Sequence, residues 1–344
     1  MKREVYESRK AFAGKKKPSM QRRCVGHDYT ARQIYMVTMV TEGRRSLFGV
    51  VRGRSDALEG GEDAPRMELS ELGQRVSDEW WGIPRYYPQI EILALQMMPD
   101  HFHGILFVRE AMEKDLSRVL RGFKTGCNRS YREVVLGVPS VATQSQRTGQ
   151  PPSKHYDRAQ GFLFAPGYND KLLLRQGQLE RWFAYLHDNP RRLLMKREHP
   201  DLFRVQRGLM VGAQQFSAIG NRFLLDHPLR VQVQCSRRLT DEQIEAEVKR
   251  LLALARGGAV LVSPCISKGE KAVMRAAFDE GLPLIVLVEN GFTDLAKPGG
   301  QRMEACANGQ LLILAPWQHH NERLTIRRDQ CLALNDMVRM ICEE

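Results

Sequence analysis

From residue 231 onward, short apolar runs alternate with amphipathic segments of helical period, and this alternation constrains the fold more tightly than any other feature of the chain. Residues 231–235, 259–263, 283–288 and 311–315 read as strands, and 241–256, 269–280, 303–307 and 327–342 as the helices between them. Strands this short and this apolar are buried on both faces, which predicts a parallel, doubly wound α/β sheet over 231–344. No GxGxxG follows the first strand, so the dinucleotide fingerprint is missing.

The residues upstream differ in charge as well as in pattern. The 344 residues hold 52 Lys/Arg and 40 Asp/Glu, a net charge of +12. Residues 231–344 contribute 14 basic and 15 acidic side chains, so the whole excess lies before them. A basic surface of this kind predicts a polyanionic partner. At 42% hydrophobic residues the chain can bury a core, and at roughly 150 residues per domain its length predicts two domains. Seven cysteines form no CxxC pair, which argues against a zinc knuckle or a disulfide framework and fits a reducing, cytoplasmic setting. No apolar run approaches the ~20 residues that span a bilayer, so no membrane is expected as a partner. Residues 1–27, with Lys15-Lys16-Lys17 and Arg22-Arg23 and no apolar stretch behind them, read as a basic N-terminal arm rather than a secretory signal.

Between arm and sheet the pattern is mixed. Residues 34–41 read as a strand, 52–66 as a Gly-rich loop, and 67–81 as a helix with Leu69, Leu72, Val76 and Trp80 on one face. Runs 90–98 and 102–108, split by Pro99-Asp100, form a hairpin. Residues 112–135 form a basic amphipathic helix, whose Arg118, Arg121, Lys124 and Arg129 are candidates to contact a polyanion. Trp80, Trp81, Tyr86 and Tyr87 are candidate platforms for stacked bases or, equally, core residues. The order strand, helix, strand, strand, helix is most of a ferredoxin-like α+β unit, an antiparallel sheet with helices on one face and the other face free. Residues 137–161 read as a long loop, and 163–165 and 172–174 as edge strands. From Gln176 a third helix carries Leu179, Trp182, Phe183 and Leu186 along one stripe; it should end near Asn189, because Pro190 disfavours a helical residue before it.

Two constellations can carry chemistry. His101 and His103 open a strand, and residues i and i+2 share a face about 6.5–7 Å apart, so both imidazoles can reach one cation. Tyr185 and Asn189 are i and i+4 on a helix, which sets a phenol and an amide on one edge beside the apolar stripe. The plain alternatives are satisfied structural histidines, a tyrosine at the core edge and an asparagine helix cap.

The setting Met-Pro-Asp-His-Phe-His-Gly around His101 and His103, followed by Phe123-Lys124, Gly167-Tyr168-Asn169-Asp170 and Tyr185 four residues before Asn189-Pro190, resembles the single-tyrosine HUH transposases. Among them it is most similar to the REP-associated tyrosine transposases, over about residues 28–205. The resemblance implies a ferredoxin-like HUH nuclease domain and single-stranded, hairpin-forming DNA as substrate. It implies Mg²⁺ or Mn²⁺ on His101, His103 and Asn189, with Tyr185 as the nucleophile of a covalent 5′-phosphotyrosine intermediate. Residues 206–230 then read as a linker and 231–344 as a Rossmann-like α/β domain. About residues 215–342 are similar to the Rossmann-like fold of DNA-processing protein A, chiefly through Ser236-Arg237 after the first strand. Ser236, Arg237 and Arg238 lie in a turn at the carboxyl end of a parallel strand, where open α/β sheets bind phosphate or nucleotide. The leading expectation is a metal-dependent DNA strand transferase. The rivals are a non-catalytic DNA-binding regulator and a nucleotide-sensing protein; a homodimer and a nucleotide ligand stay open as partners.

Overall fold

The computed structural model describes residues 24, 26–138, 162–321 and 326–343, so most of the basic arm and of the loop 137–161 lies outside the described residues. The chain forms two compact units, the first ending at Leu194 and the second beginning at Met195. It is a mixed α/β protein. Among the described residues no helix is long and apolar enough to cross a membrane.

The first unit is built on a four-stranded antiparallel sheet of β1 (Gln33–Val40), β4 (Ile90–Met98), β5 (His101–Val108) and β6 (Asn169–Leu172), in the order β4-β5-β1-β6. One face packs on α1 (Glu71–Trp81) and α2 (Leu116–Val135): Tyr35, Val37, Phe102 and Leu106 meet Leu72, Val76, Trp80, Leu120 and Phe123 in one core. Each helix is started by its own cap. Ser70 accepts a hydrogen bond from the Gly73 amide, and Asp115 accepts one from the Arg118 amide. The other face is not free. Met36 and Ile105, pointing the opposite way by the period-two pleat, pack on Trp182 and Leu186 of α3 (Gln178–Glu198).

Three more expectations change in this unit. The loop 52–66 is held between two short strands, β2 (Gly49–Arg52) and β3 (Arg66–Leu69), so the helix begins at Glu71 and not at residue 67. Phe183 is exposed and lies off the α3 stripe. The third helix runs through Pro190 to Glu198. A proline inside a helix costs about 3 kcal/mol, but Trp182, Leu186, Pro190 and Leu194 recur every fourth residue and are all buried. Continuing the helix seats Leu194 against Val51 and Met98, a burial worth roughly 1.5–3 kcal/mol.

The second unit contains a six-stranded sheet ordered β7-β8-β12-β11-β10-β9. Strands β9 (Arg230–Gln232), β10 (Val260–Ser263), β11 (Leu284–Leu287) and β12 (Leu311–Ala315) are parallel. They follow one another in consecutive order, so the parallel part is wound in one direction and has no reversal of strand order. Helices α4 (Asp241–Arg256), α5 (Lys268–Asp279) and α6 (Gln301–Ala307) share one core with Leu261, Leu284 and Leu311. The alternate residues Val260, Val262, Ile285 and Leu312 pack with Leu334, Val338 and Ile341 of α7 (Arg328–Glu343). Residues 206–230 are not simply a linker: β7 (Gln206–Val211) and β8 (Gln214–Gly220) extend this sheet antiparallel to β12.

Candidate active site

The site lies on the α3 face of the first sheet. His103 on β5 is opposite Thr38 on β1 and Gln96 on β4, and Thr38 is opposite Asn169 on β6. These four side chains therefore form one polar row across the sheet. His101, two residues earlier on the same face, has its ring centroid 5.0 Å from that of His103, with the ring planes at 88°. The Tyr185 ring of α3 lies 5.4 Å from the His103 ring. It is 39% exposed, so a substrate can reach it from solvent. The histidine pair and Tyr185, far from it in sequence, thus share one place.

Both imidazoles are held at Nδ1. His101 Nδ1 donates to Asp100 Oδ1 at 2.6 Å, and His103 Nδ1 is hydrogen-bonded to Thr38 Oγ1 at 2.8 Å. With Nδ1–H as donor, Nε2 of each ring keeps its lone pair, the tautomer a metal requires. Asp100 is anchored in turn: its carbonyl accepts from the Thr41 amide and hydroxyl, and its carboxylate lies 3.3 Å from Arg44. Burial pushes the Asp100 carboxyl up, but the hydrogen bond and charge of His101, with Arg44, hold it below its ordinary value. Burial first, and then the charges of His101, Lys171 and Arg44, together pull His103 down to about 3, so this ring is neutral at physiological pH.

Among the described residues no group of three His, Cys, Asp or Glu side chains is placed to hold a metal ion. A third protein ligand for the histidine pair has to be of another type, and Asn189 fits chemically. It is 8% exposed, and its Nδ2 finds no hydrogen-bond partner. An unmatched buried amide end is costly, and the two ends are isosteric, so a turn about the last torsion sets an oxygen there for a cation. Two imidazole nitrogens and one amide oxygen would make a mixed donor set for a divalent first-row cation.

Arg118, Arg121 and Arg129 are exposed, but they belong to α2, across the sheet from Tyr185. Lys124 is engaged otherwise: its ammonium donates to the carbonyls of Ala165 and Gly167 at 3.2 and 2.6 Å and lies over the Phe164 ring. It fastens the chain before β6 rather than presenting a charge to DNA. Trp80 is fully buried and Tyr87 packs against the core, which leaves Trp81 and Tyr86 as exposed aromatics.

In the second unit Ser236, Arg237 and Arg238 are exposed, and Arg237 lines a cavity of about 450 Å³ with Ser267, Glu270 and Asn335. Three backbone amides beside this cavity are already taken. The buried Glu270 carboxylate accepts from Ile266, Ser267 and Cys235 amides at 2.6, 3.2 and 3.4 Å. Thr38 and Asp100 escape a reading of the sequence alone, Thr38 because its nearness to His103 depends on strand register. Asp100 leaves a signal, its position directly before His101.

No family model matches the chain. An uncharacterized protein of Haemophilus influenzae is 28% identical over 87 residues, 25% of this chain and 42% of that one. The chain therefore spans less than half the length of that relative. Among solved structures, DNA-processing protein A from Helicobacter pylori, described for its single-stranded DNA binding mode, is 22% identical over 37% of this chain and 57% of its own, with a TM-score of 0.29. A REP-associated tyrosine transposase bound to a REP hairpin is 15% identical over 48% of this chain and 70% of its own, also with a TM-score of 0.29. Likeness at this level establishes no family.

Proposed function

We propose that this protein is a divalent-cation-dependent DNA strand transferase that cleaves and rejoins single-stranded DNA through Tyr185. The single observation that supports the reading is the convergence of His101, His103 and an exposed Tyr185 on one sheet face. In this reading the first unit is a ferredoxin-like HUH domain: its strands follow the order of the β-α-β-β-α-β unit, with β1 and β5 central and α3 added on the second face. The second unit is a Rossmann-like α/β domain attached to it.

His101, His103 and Asn189 would hold Mg²⁺ or Mn²⁺, which when bound polarises a phosphate oxygen and neutralises charge built up in the transition state. Asp100 and Thr38 fix the ring orientations. The Tyr185 Oη attacks the scissile phosphorus and releases the 3′ hydroxyl, leaving the 5′ phosphate on the protein. A phenol titrates near ~10 and is a weak nucleophile at neutral pH, so the step depends on charge stabilisation around the phosphate. Because the phosphotyrosine ester conserves the bond energy, a 3′ hydroxyl reverses the attack with no nucleotide cofactor.

Labelled single-stranded hairpin DNA incubated with the protein and Mn²⁺ should give a covalent adduct on a denaturing gel. Tyr185→Phe should abolish the adduct and leave DNA binding intact. An adduct that survives this substitution would refute the reading: Tyr168, the other tyrosine of the motif set, packs with the α1/α2 core, and its hydroxyl lies 3.3 Å from that of Ser117.

A further inference from the structure

Arg192 follows Tyr185 by two turns of α3, and its guanidinium carbon lies 6.0 Å from the Tyr185 ring centroid. The side chain is only 15% exposed, yet the ion pair it makes among the described residues, with Asp188, is long at 3.7 Å. The same carboxylate is held at 2.6 Å by Arg191. One carboxylate thus serves two guanidinium groups, and the more buried of the two has the weaker share. A guanidinium has five N–H donors in a planar fork. A cation left this short of acceptors in a mostly buried place is costly unless an anion completes it. Its neighbour is the one hydroxyl in this site that would become esterified to phosphate.

We propose that Arg192 is the phosphate-binding residue of the site, holding the non-bridging oxygens of the scissile phosphate against Tyr185 and then those of the phosphotyrosine. The proposal rests on the reading of Tyr185 as nucleophile. In the step the Tyr185 Oη–P bond forms and the P–O3′ bond breaks; the phenol proton passes to water, the departing O3′ takes a proton from water, and nothing is oxidised or reduced. The guanidinium fork matches two phosphate oxygens at once and stays charged throughout.

The test has two arms on the full chain. In the first, inorganic phosphate is titrated into DNA-free protein while the Arg192 Nε–H resonance, assigned by its loss in Arg192→Lys, is followed by NMR. The resonance should shift and saturate; a resonance that does not move overturns the proposal whether or not the protein forms an adduct. In the second, adduct formation with hairpin DNA and Mn²⁺ is timed. Arg192→Ala should slow it roughly 100-fold, the loss typical of one transition-state donor. Arg192→Lys should recover part of the rate, and free guanidinium should rescue Arg192→Ala, which a merely structural arginine would not allow. An unchanged rate in Arg192→Ala, or a loss that guanidinium cannot restore, overturns the proposal. If the wild-type protein forms no adduct while the phosphate shift is present, the Tyr185 reading fails and the phosphate site stands.

Discussion

His103 can offer only one nitrogen to a cation, because Thr38 occupies the other. That hydroxyl is the least replaceable small group in the site: the ring is 8% exposed, and without Thr38 its Nδ1 would be buried with nothing to bond. Thr38→Val keeps the shape and removes the oxygen. Affinity for Mn²⁺, measured by titration calorimetry on DNA-free protein, should fall by roughly 10- to 100-fold, the usual effect of losing a group that orients a metal-binding histidine. Unchanged affinity would mean that Nε2 of His103 is not a ligand. The histidine pair and Tyr185 can be picked out from sequence because i, i+2 on a strand and i, i+4 on a helix are local spacings. Thr38 stands 65 residues from His103, and only the antiparallel register of β1 on β5 brings them together. The same limit applies to Lys124, which has the composition of a DNA contact but meets two carbonyls contributed by a distant turn.

The strand that carries the histidines is shaped by what lies behind it. Gly104 follows His103 and faces the helices, and a Cβ built there would sit 2.2 Å from Cζ2 of Trp80. That indole is fully buried, edge-on to Phe102 and Phe123 at 5.3 and 5.4 Å, and has nowhere to retreat. The glycine at the end of the His-Phe-His-Gly motif is thus a packing requirement of α1. Gly104→Ala should destabilise the first unit by about 1–3 kcal/mol through overpacking, a drop of several degrees by scanning calorimetry; a melting temperature equal to wild type would show that Trp80 can move. Elements with a strong apolar period are legible in the sequence: β4, β5, α2 and the whole run from α4 to α7 lie within a few residues of where periodicity puts them. Those that are not legible lack a local signal. Half of strand β7 is exposed and it has no alternation to read, although Gly212, with φ of +52°, marks the turn into β8. The continuation of α3 past Pro190 is decided by the burial of Leu194, which no local propensity reports.

At the scale of the first unit the α2 arginines and Tyr185 lie on opposite faces of the sheet. The arginines of α2 are separated from Tyr185 by the thickness of the first sheet, so they cannot stabilise the reacting phosphate and can only hold DNA that passes round the sheet edge. The two roles should therefore separate in a variant that replaces Arg118, Arg121 and Arg129 together by alanine. For single strands, each phosphate neutralised contributes about 0.7 to the slope of log affinity against log salt. Removing three contacts should reduce the magnitude of that slope by about 2, measured by fluorescence anisotropy over a series of salt concentrations. At saturating DNA the rate of adduct formation should stay at the wild-type value, since the distance to Tyr185 leaves these cations no share in the transition state. An unchanged salt slope would remove α2 from the DNA path. A slower adduct at saturation would mean that DNA held on the far face aligns the scissile phosphate, and that the sheet does not divide binding from chemistry.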